Sequence, residues 1–153
     1  MTDASASIRP VADRPEDYRS LYPIQTRFDD LDPLGHINNI AFAVFAESAR
    51  IEWERQHIKP LMAPGLDLVM AHLELDFLHE LLWPGDVEIG TRLIRVGTSS
   101  LAFRQALFQN GRCCALVHPV LAQFDLTARR ATPFAYEARQ HFTTLVEMGQ
   151  RGA

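Results

Sequence analysis

The stretch Asp30–Asn39, DLDPLGHINN, decides the fold prediction, because it separates a short extended run from a long apolar one. It ends on two asparagines, which are preferred N-cap residues, and Ile40 then opens a run of good helix formers. The first backbone N–H groups of a helix can hold an oxyanion, and a carboxylate beside them can act as base or nucleophile. The stretch therefore predicts a loop that enters a helix and supports chemistry at a carbonyl group.

A long helix is predicted directly after this loop. It should start at Asn38 or Asn39 and continue to about Gln56, before Pro60. Its apolar residues cover much more than one narrow stripe. Three charged residues recur at spacings of three and four, namely Glu47, Arg50 and Glu54. We expect a largely enclosed helix with one charged edge in water.

After this helix the hydrophobic period changes to two, which indicates β-strands. Together with a first strand upstream of the loop, five strands are predicted, over residues 22–28, 68–77, 87–96, 99–109 and 112–125. Asn110-Gly111 is the strongest hairpin signal, and Pro119 places part of the last strand at an edge or a bulge. A short helix is expected over 136–147. One long helix against an antiparallel five-stranded sheet is an α+β arrangement.

Composition limits the class of protein. The 153 residues form one ordinary domain, expected over residues 21–148 after a flexible N-terminal tail over residues 1–20. No apolar run approaches the roughly 20 residues that span a bilayer, and the net charge of −4 argues against nucleic-acid binding. The two adjacent cysteines, Cys113 and Cys114, would point to opposite faces of a strand, so a reducing cytoplasm is the simplest location.

The sequence predicts neither a metal site nor a redox cofactor. Its six histidines show no HExxH or paired Cys/His spacing. The loop superficially resembles a calcium-binding motif, but Leu34 and Ala41 occupy positions that need oxygen ligands. The GxSxG, Walker and GxGxxG motifs are also missing from the sequence.

The loop and the run behind it, DLDPLGHINN followed by IAFAVFAESARIEW, resemble the signature of the 4-hydroxybenzoyl-CoA thioesterase-like family of hotdog-fold acyl-CoA thioesterases. The later run LELDFLHELLWPGDVEIGTRLIRVGTSSLAFRQALF resembles the sheet of that family, and the resemblance covers about residues 20–134. It implies that the strands curl around the central helix. It also implies that two subunits pair edge to edge, as a homodimer or a dimer of dimers (a homotetramer), with active sites at the interface.

The resemblance also implies roles for residues of the loop. Asp32 matches the Asp of the family's DPxG element, a general base or nucleophile on the thioester, although a carboxylate at this position is also a common turn residue. Asn39 lies where the family presents a backbone N–H to the thioester oxygen. His36 is a candidate for substrate binding, proton transfer or a loop hydrogen bond. Gly35 supplies a backbone conformation closed to other residues, and Asn38 or Asn39 caps the helix.

Further candidates lie outside the loop core. Glu47 is a candidate substrate-site residue, and a solvated ion pair with Arg50 is the alternative. A turn formed by Thr98, Ser99 and Ser100 lies where relatives contact the CoA arm, although it lacks the basic residues that some of them carry. Asp29 and Asp30 are expected to be turn residues that point into solvent. A further hypothesis assigns binding of the CoA phosphates to Arg92, Arg95 and Arg104.

These observations predict an acyl-CoA thioesterase that hydrolyses a thioester to a free acid and CoA. One alternative is a hotdog-fold enoyl-CoA hydratase or dehydratase, which moves a proton with an Asp and a His. The hydratase resemblance usually includes an Asp-x-Asn-Pro-x-His pattern, whereas this chain has GHxNN. The other alternative is a non-catalytic acyl-CoA-binding protein, which would not need Asp32.

Overall fold

The fold is one curled antiparallel sheet around one long helix, seen in a computed structural model that describes residues 10–150. In chain order the elements are β1 (Leu21–Gln25), α1 (Asn39–His57), β2 (Leu66–Phe77), β3 (Asp86–Val96), β4 (Ser100–Gln109), β5 (Arg112–Asp125), β6 (Arg130–Ala131) and α2 (Tyr136–Gln150). The sheet order is β1-β3-β4-β5-β2, and the short β6 pairs with β5. The predicted α+β class, the central helix and the five main strands are confirmed.

The core lies between α1 and the concave face of the sheet. Phe42 and Phe45 of α1 are buried there with Ile89 of β3, Leu107 of β4 and Val117 of β5. Because side chains alternate across a strand, the residues next to these in sequence face away from α1. The helix therefore covers one face of the central strands, and Tyr18 packs with Ala106, Phe108 and Leu116 on the other.

The hairpin at Asn110-Gly111 and the position of Pro119 were both predicted from the sequence. Asn110 and Gly111 both have positive φ, 52° and 76°, as a tight two-residue hairpin requires, so the predicted hairpin is confirmed. Pro119 lies on β5, which is paired on both sides. The β4–β5 pairing is interrupted between Val120 and Val117 with its register unchanged, and β2 has a register shift between Met70 and His72, beside Pro119. The expected irregularity is present, whereas the expected edge position was wrong, because β2 packs outside β5.

The N-terminal segment packs on the sheet from residue 13 onward. Of the tail expected over residues 1–20, residues 1–9 lie outside the described residues. Asp13 accepts hydrogen bonds from Arg104 at 2.6 and 2.7 Å and from the Tyr18 hydroxyl at 2.6 Å. The Tyr18 ring covers Gly90 so closely that a Cβ there would lie 2.3 Å from it. Arg92 stacks on the same ring, so two of the three arginines considered for CoA phosphates contact this segment instead.

The charged residues of α1 are distributed differently from the prediction. Arg50 and Glu54 are buried and form an ion pair, so the expected water-facing edge was wrong for both. Burial raises the pKa of Glu54, and the nearby Arg50 opposes that rise. The open apolar face, formed by Ile40 and Val44 of α1 with Met70 and Leu73 of β2, is exposed instead.

Candidate active site

Asp30 anchors the loop that carries the candidate site. Its carboxylate accepts hydrogen bonds from the amide of Arg27 at 2.9 Å and from the Arg27 guanidinium at 2.8 Å. Its carbonyl accepts from the amide and the side-chain NH₂ of Asn38, at 2.8 and 2.9 Å. The hydrogen bonds from Arg27 hold the pKa of Asp30 below its usual value. Asp30 is buried, so the expectation that it points into solvent was wrong.

Asp32 lies at the start of a tight turn. Its Oδ1 accepts hydrogen bonds from the amides of Leu34 at 2.9 Å and His36 at 3.2 Å. Its carbonyl accepts from the amide of Gly35, whose φ of +82° lies in the left-handed region that favours glycine. Oδ2 of Asp32 accepts no hydrogen bond from residues 10–150, so one oxygen holds the turn and the other has no protein donor within these residues.

The start of α1 follows the capping pattern expected from the sequence. Asn38 has an extended backbone, and its Oδ1 accepts a hydrogen bond from the amide of Ala41 at 2.8 Å, so Asn38 is the N-cap. Asn39 is the first helical residue. Backbone N–H groups of a first turn have no intrahelical carbonyl to bind, and the helix dipole adds positive potential there. The amide of Asn39 is therefore suited to meet an anionic oxygen.

One open cavity of about 380 Å³ brings the three candidate catalytic residues together. Its lining includes Asp32, His36, Asn39, Phe42, Phe77 and Glu80. The walls thus combine a carboxylate, an imidazole and a helix N-terminus with aromatic surface from α1 and β2. This arrangement can bind a carbonyl compound and place a base beside it.

Glu80 is an ionisable cavity residue that sequence reasoning missed, as is its neighbour His79. Its Oε2 lies 3.0 Å from Nε2 of His36. Glu80 belongs to the connection between β2 and β3, which is joined to the loop by a hydrogen bond from the amide of Ile37 to the carbonyl of Leu81. The only sequence signal was a His-Glu pair directly after a strand.

The remaining predicted site residues are not brought into this cavity. Gly35 and Asn38 belong to the same loop and shape it. Glu47 is exposed, lies roughly 12 Å further along α1 from Asn39 at 1.5 Å per residue, and approaches Arg50 at 3.9 Å. The turn at 98–100 lies at the opposite end of β3, roughly 33 Å away along the strand. A single chain therefore does not unite this turn with Asp32.

Another group of ligand-type side chains lies on the sheet face away from α1. Glu74 of β2 pairs with His118 of β5, and with Asp76 they place one ligand atom each within 4.8 Å of one another. No linear sequence motif marks this group, because strand pairing assembles it. His118 and Asp76 face each other at 3.6 Å and form an ion pair when the imidazole is protonated, and we assign no metal to them.

Comparison with known proteins decides the family. A family profile described as the thioesterase-like superfamily matches residues 26–142. The chain belongs to this superfamily. The predicted resemblance to hotdog-fold thioesterases is confirmed, and so is the prediction that the protein is a thioester hydrolase. A search of curated proteins finds no match.

Solved structures agree with this assignment. The chain is 32% identical to a thioesterase from Thermus thermophilus crystallised with coenzyme A and Zn, with a TM-score of 0.75 over 86% of this chain and 98% of that one. A predicted thioesterase from Bacillus stearothermophilus is 27% identical, with a TM-score of 0.75 over 83% and 96%. A DHNA-CoA thioesterase from Staphylococcus aureus shares the fold at 13% identity, with a TM-score of 0.76 over 88% and 95%.

Between residues 10 and 150, none of the helices has the length and apolar character needed to cross a bilayer.

Proposed function

We propose that this thioesterase hydrolyses acyl-CoA to a free acid and CoA, with Asp32 as its general base or nucleophile. The observation that carries the proposal is the shared cavity of Asp32 and the first amide of α1. Coenzyme A as the carrier is supported by the Thermus relative, which was crystallised with it. No metal or redox cofactor is required by this chemistry.

The proposed reaction begins with the thioester oxygen at the amide of Asn39. In the base route, Asp32 takes one proton from water while the water oxygen bonds to the carbonyl carbon. The helix N-terminus stabilises the resulting oxyanion, because its dipole favours negative charge. When the oxyanion collapses, the carbon–sulfur bond breaks and its electron pair leaves with sulfur, which then takes a proton.

In the nucleophile route, Asp32 bonds to the carbonyl carbon itself and expels the CoA thiolate. Water then hydrolyses the mixed anhydride and regenerates the carboxylate. Both routes require an oxygen of Asp32 that is free to react. Oδ2 meets that requirement while Oδ1 keeps the turn in place.

The acyl group is proposed to follow the open apolar face, whose groove of about 130 Å³ is lined by residues of α1, β2, β4 and β5. The groove begins at Ile40, next to the proposed oxyanion site. A second subunit would close it, because β2 is the last strand in the sheet order and its outer edge is available for pairing. We therefore propose a homodimer or a dimer of dimers as the functional form.

The proposed compartment is the cytoplasm. Cys113 and Cys114 are both free and buried, on a strand where they alternate between faces. Burial raises the pKa of each thiol, which disfavours the reactive thiolate. Because neither cysteine forms a disulfide, the fold does not depend on an oxidising compartment.

The proposal is tested by free-thiol release from benzoyl-, short-, medium- and long-chain acyl-CoA. We expect CoA release from at least one class, measured with a thiol reagent. The acyl preference would define the substrate, and sedimentation velocity of the same sample would give the oligomer. No thiol release from any of the substrates would overturn the proposed function.

A further inference from the structure

The cavity holds a pair of ionisable side chains, His36 and Glu80, in addition to Asp32. Nε2 of His36 lies 3.0 Å from Oε2 of Glu80, and both residues line the cavity. Both side chains are about half exposed, with relative exposures of 44% and 52%. An exposed pair of this kind adds little to stability, so folding alone does not explain its place in the cavity wall.

We propose that Glu80 is a positioning residue that holds His36 to protonate the sulfur of the leaving CoA. This inference rests on the proposed thioesterase function and assigns its last proton transfer. A carboxylate at this distance attracts an imidazolium and favours the ring orientations that keep Nε2 beside it. Asp32 and His36 then divide the chemistry between a proton acceptor and a proton donor.

The residues that line the cavity show which group can donate a proton to the departing CoA thiolate. No Lys or Arg from residues 10–150 lines it, so the departing thiolate meets a cation only at a histidine. His79 is the other histidine in the lining, and its Nδ1 lies 2.7 Å from the Arg112 guanidinium. Since a guanidinium only donates, that nitrogen of His79 is an acceptor and carries no proton. His36 is thus the histidine able to act as an acid.

The proton balance is complete within the reaction. As the carbon–sulfur bond breaks, its electron pair stays on sulfur, and sulfur takes one proton from the imidazolium of His36. His36 is left neutral beside the Glu80 carboxylate. In the base route, the proton that Asp32 took from water returns to His36 through solvent, and the product acid leaves. In the nucleophile route, hydrolysis of the anhydride by water yields the product acid, the Asp32 carboxylate and one proton, which recharges His36.

The test compares two leaving groups carrying the same acyl chain, CoA and 4-nitrothiophenol. The aryl thiolate is a weaker base and needs little protonation. We expect Glu80→Gln to lower kcat for the acyl-CoA by about tenfold or more, with little change in KM and a clearly smaller loss for the aryl thioester. Glu80→Asp should recover part of the loss, and His36→Gln should show the same leaving-group pattern.

Glu88→Gln, on exposed β3 surface, is the matched control for loss of one carboxylate. An equal loss for both thioesters, or none, in Glu80→Gln would overturn the positioning role while leaving the thioesterase proposal intact. A wild-type protein without turnover of any acyl-CoA would overturn both.

Discussion

Asp32 and His36 are joined to each other by two hydrogen bonds, each donated by a main-chain amide. The amide of Asp32 donates to the carbonyl of His36 at 2.8 Å, and the amide of His36 donates to Oδ1 of Asp32 at 3.2 Å. The candidate base and the candidate acid are therefore held by one turn. Because both belong to the same rigid unit, a backbone change in this turn should affect activity more than stability.

Gly35→Ala tests the turn directly. Gly35 has φ +82°, and a Cβ there would meet no atom within 4 Å, so the cost is backbone strain of about 1–2 kcal/mol. We expect that loss in the free energy of unfolding, measured by urea denaturation, together with a large loss of kcat.

Gly65→Ala is the matched control, because Gly65 has φ +83° and equally open surroundings but lies just before β2, outside the cavity lining. It should lose similar stability and keep its activity. Equal activity losses in the two variants would show that the Gly35 turn has no special role in the site.

We predict that a buried and an exposed salt bridge of α1 contribute very differently to the free energy of unfolding. Arg50→Ala leaves Glu54 buried without its partner, which should cost about 3–5 kcal/mol. Arg55→Ala removes an exposed pair with Glu52 and should cost under about 1 kcal/mol. Urea denaturation of both variants measures the difference, and similar costs would contradict the burial of Arg50.

Burial of Glu54 also predicts that the stability of the folded protein depends on pH. Burial raises its pKa in the folded protein above the ordinary value of 4.5. Its contribution to stability is therefore fully present below about pH 4.5 and is lost as pH rises through the folded pKa. Glu54→Gln cannot lose a proton, so its stability relative to wild type should improve from pH 4 to pH 7. A relative stability that is flat or falls over this range in thermal or urea unfolding would contradict the raised pKa.

The sequence predicted the features that depend on local patterns. The period of two located the strands, the asparagines located the start of α1, and Asn110-Gly111 located the hairpin. Gly35 was expected in a special conformation, and its positive φ agrees. The family signature then placed the loop at the start of the central helix, where three candidate residues share one cavity.

The features that sequence reasoning missed depend on contacts between distant residues. Asp13 binds Arg104 across 91 positions, and no local pattern predicts that contact. Glu80 reaches His36 only because the connection after β2 returns to the loop. Arg50 was placed in water because its spacing from Glu47 fits an exposed helix edge, whereas packing buried it with Glu54.

The roles assigned to Glu47 and to the turn at 98–100 stay predictions. The turn at 98–100 lies away from the cavity in one chain, and a partner subunit would have to bring it there, whereas Glu47 lines the groove proposed for the acyl group. The open apolar face and the free edge of β2 are where such a partner would pack.

The most direct test of the central claim is kcat for acyl-CoA hydrolysis in Asp32→Asn. Asparagine keeps a side-chain oxygen for the amides of Leu34 and His36, so the turn should survive while the carboxylate is lost. We predict a loss of about 10²–10⁴ in kcat with unchanged thermal stability, whereas Asp29→Asn, on the exposed side of the same loop, keeps wild-type activity. An Asp32→Asn variant that hydrolyses acyl-CoA at the wild-type rate would contradict the account.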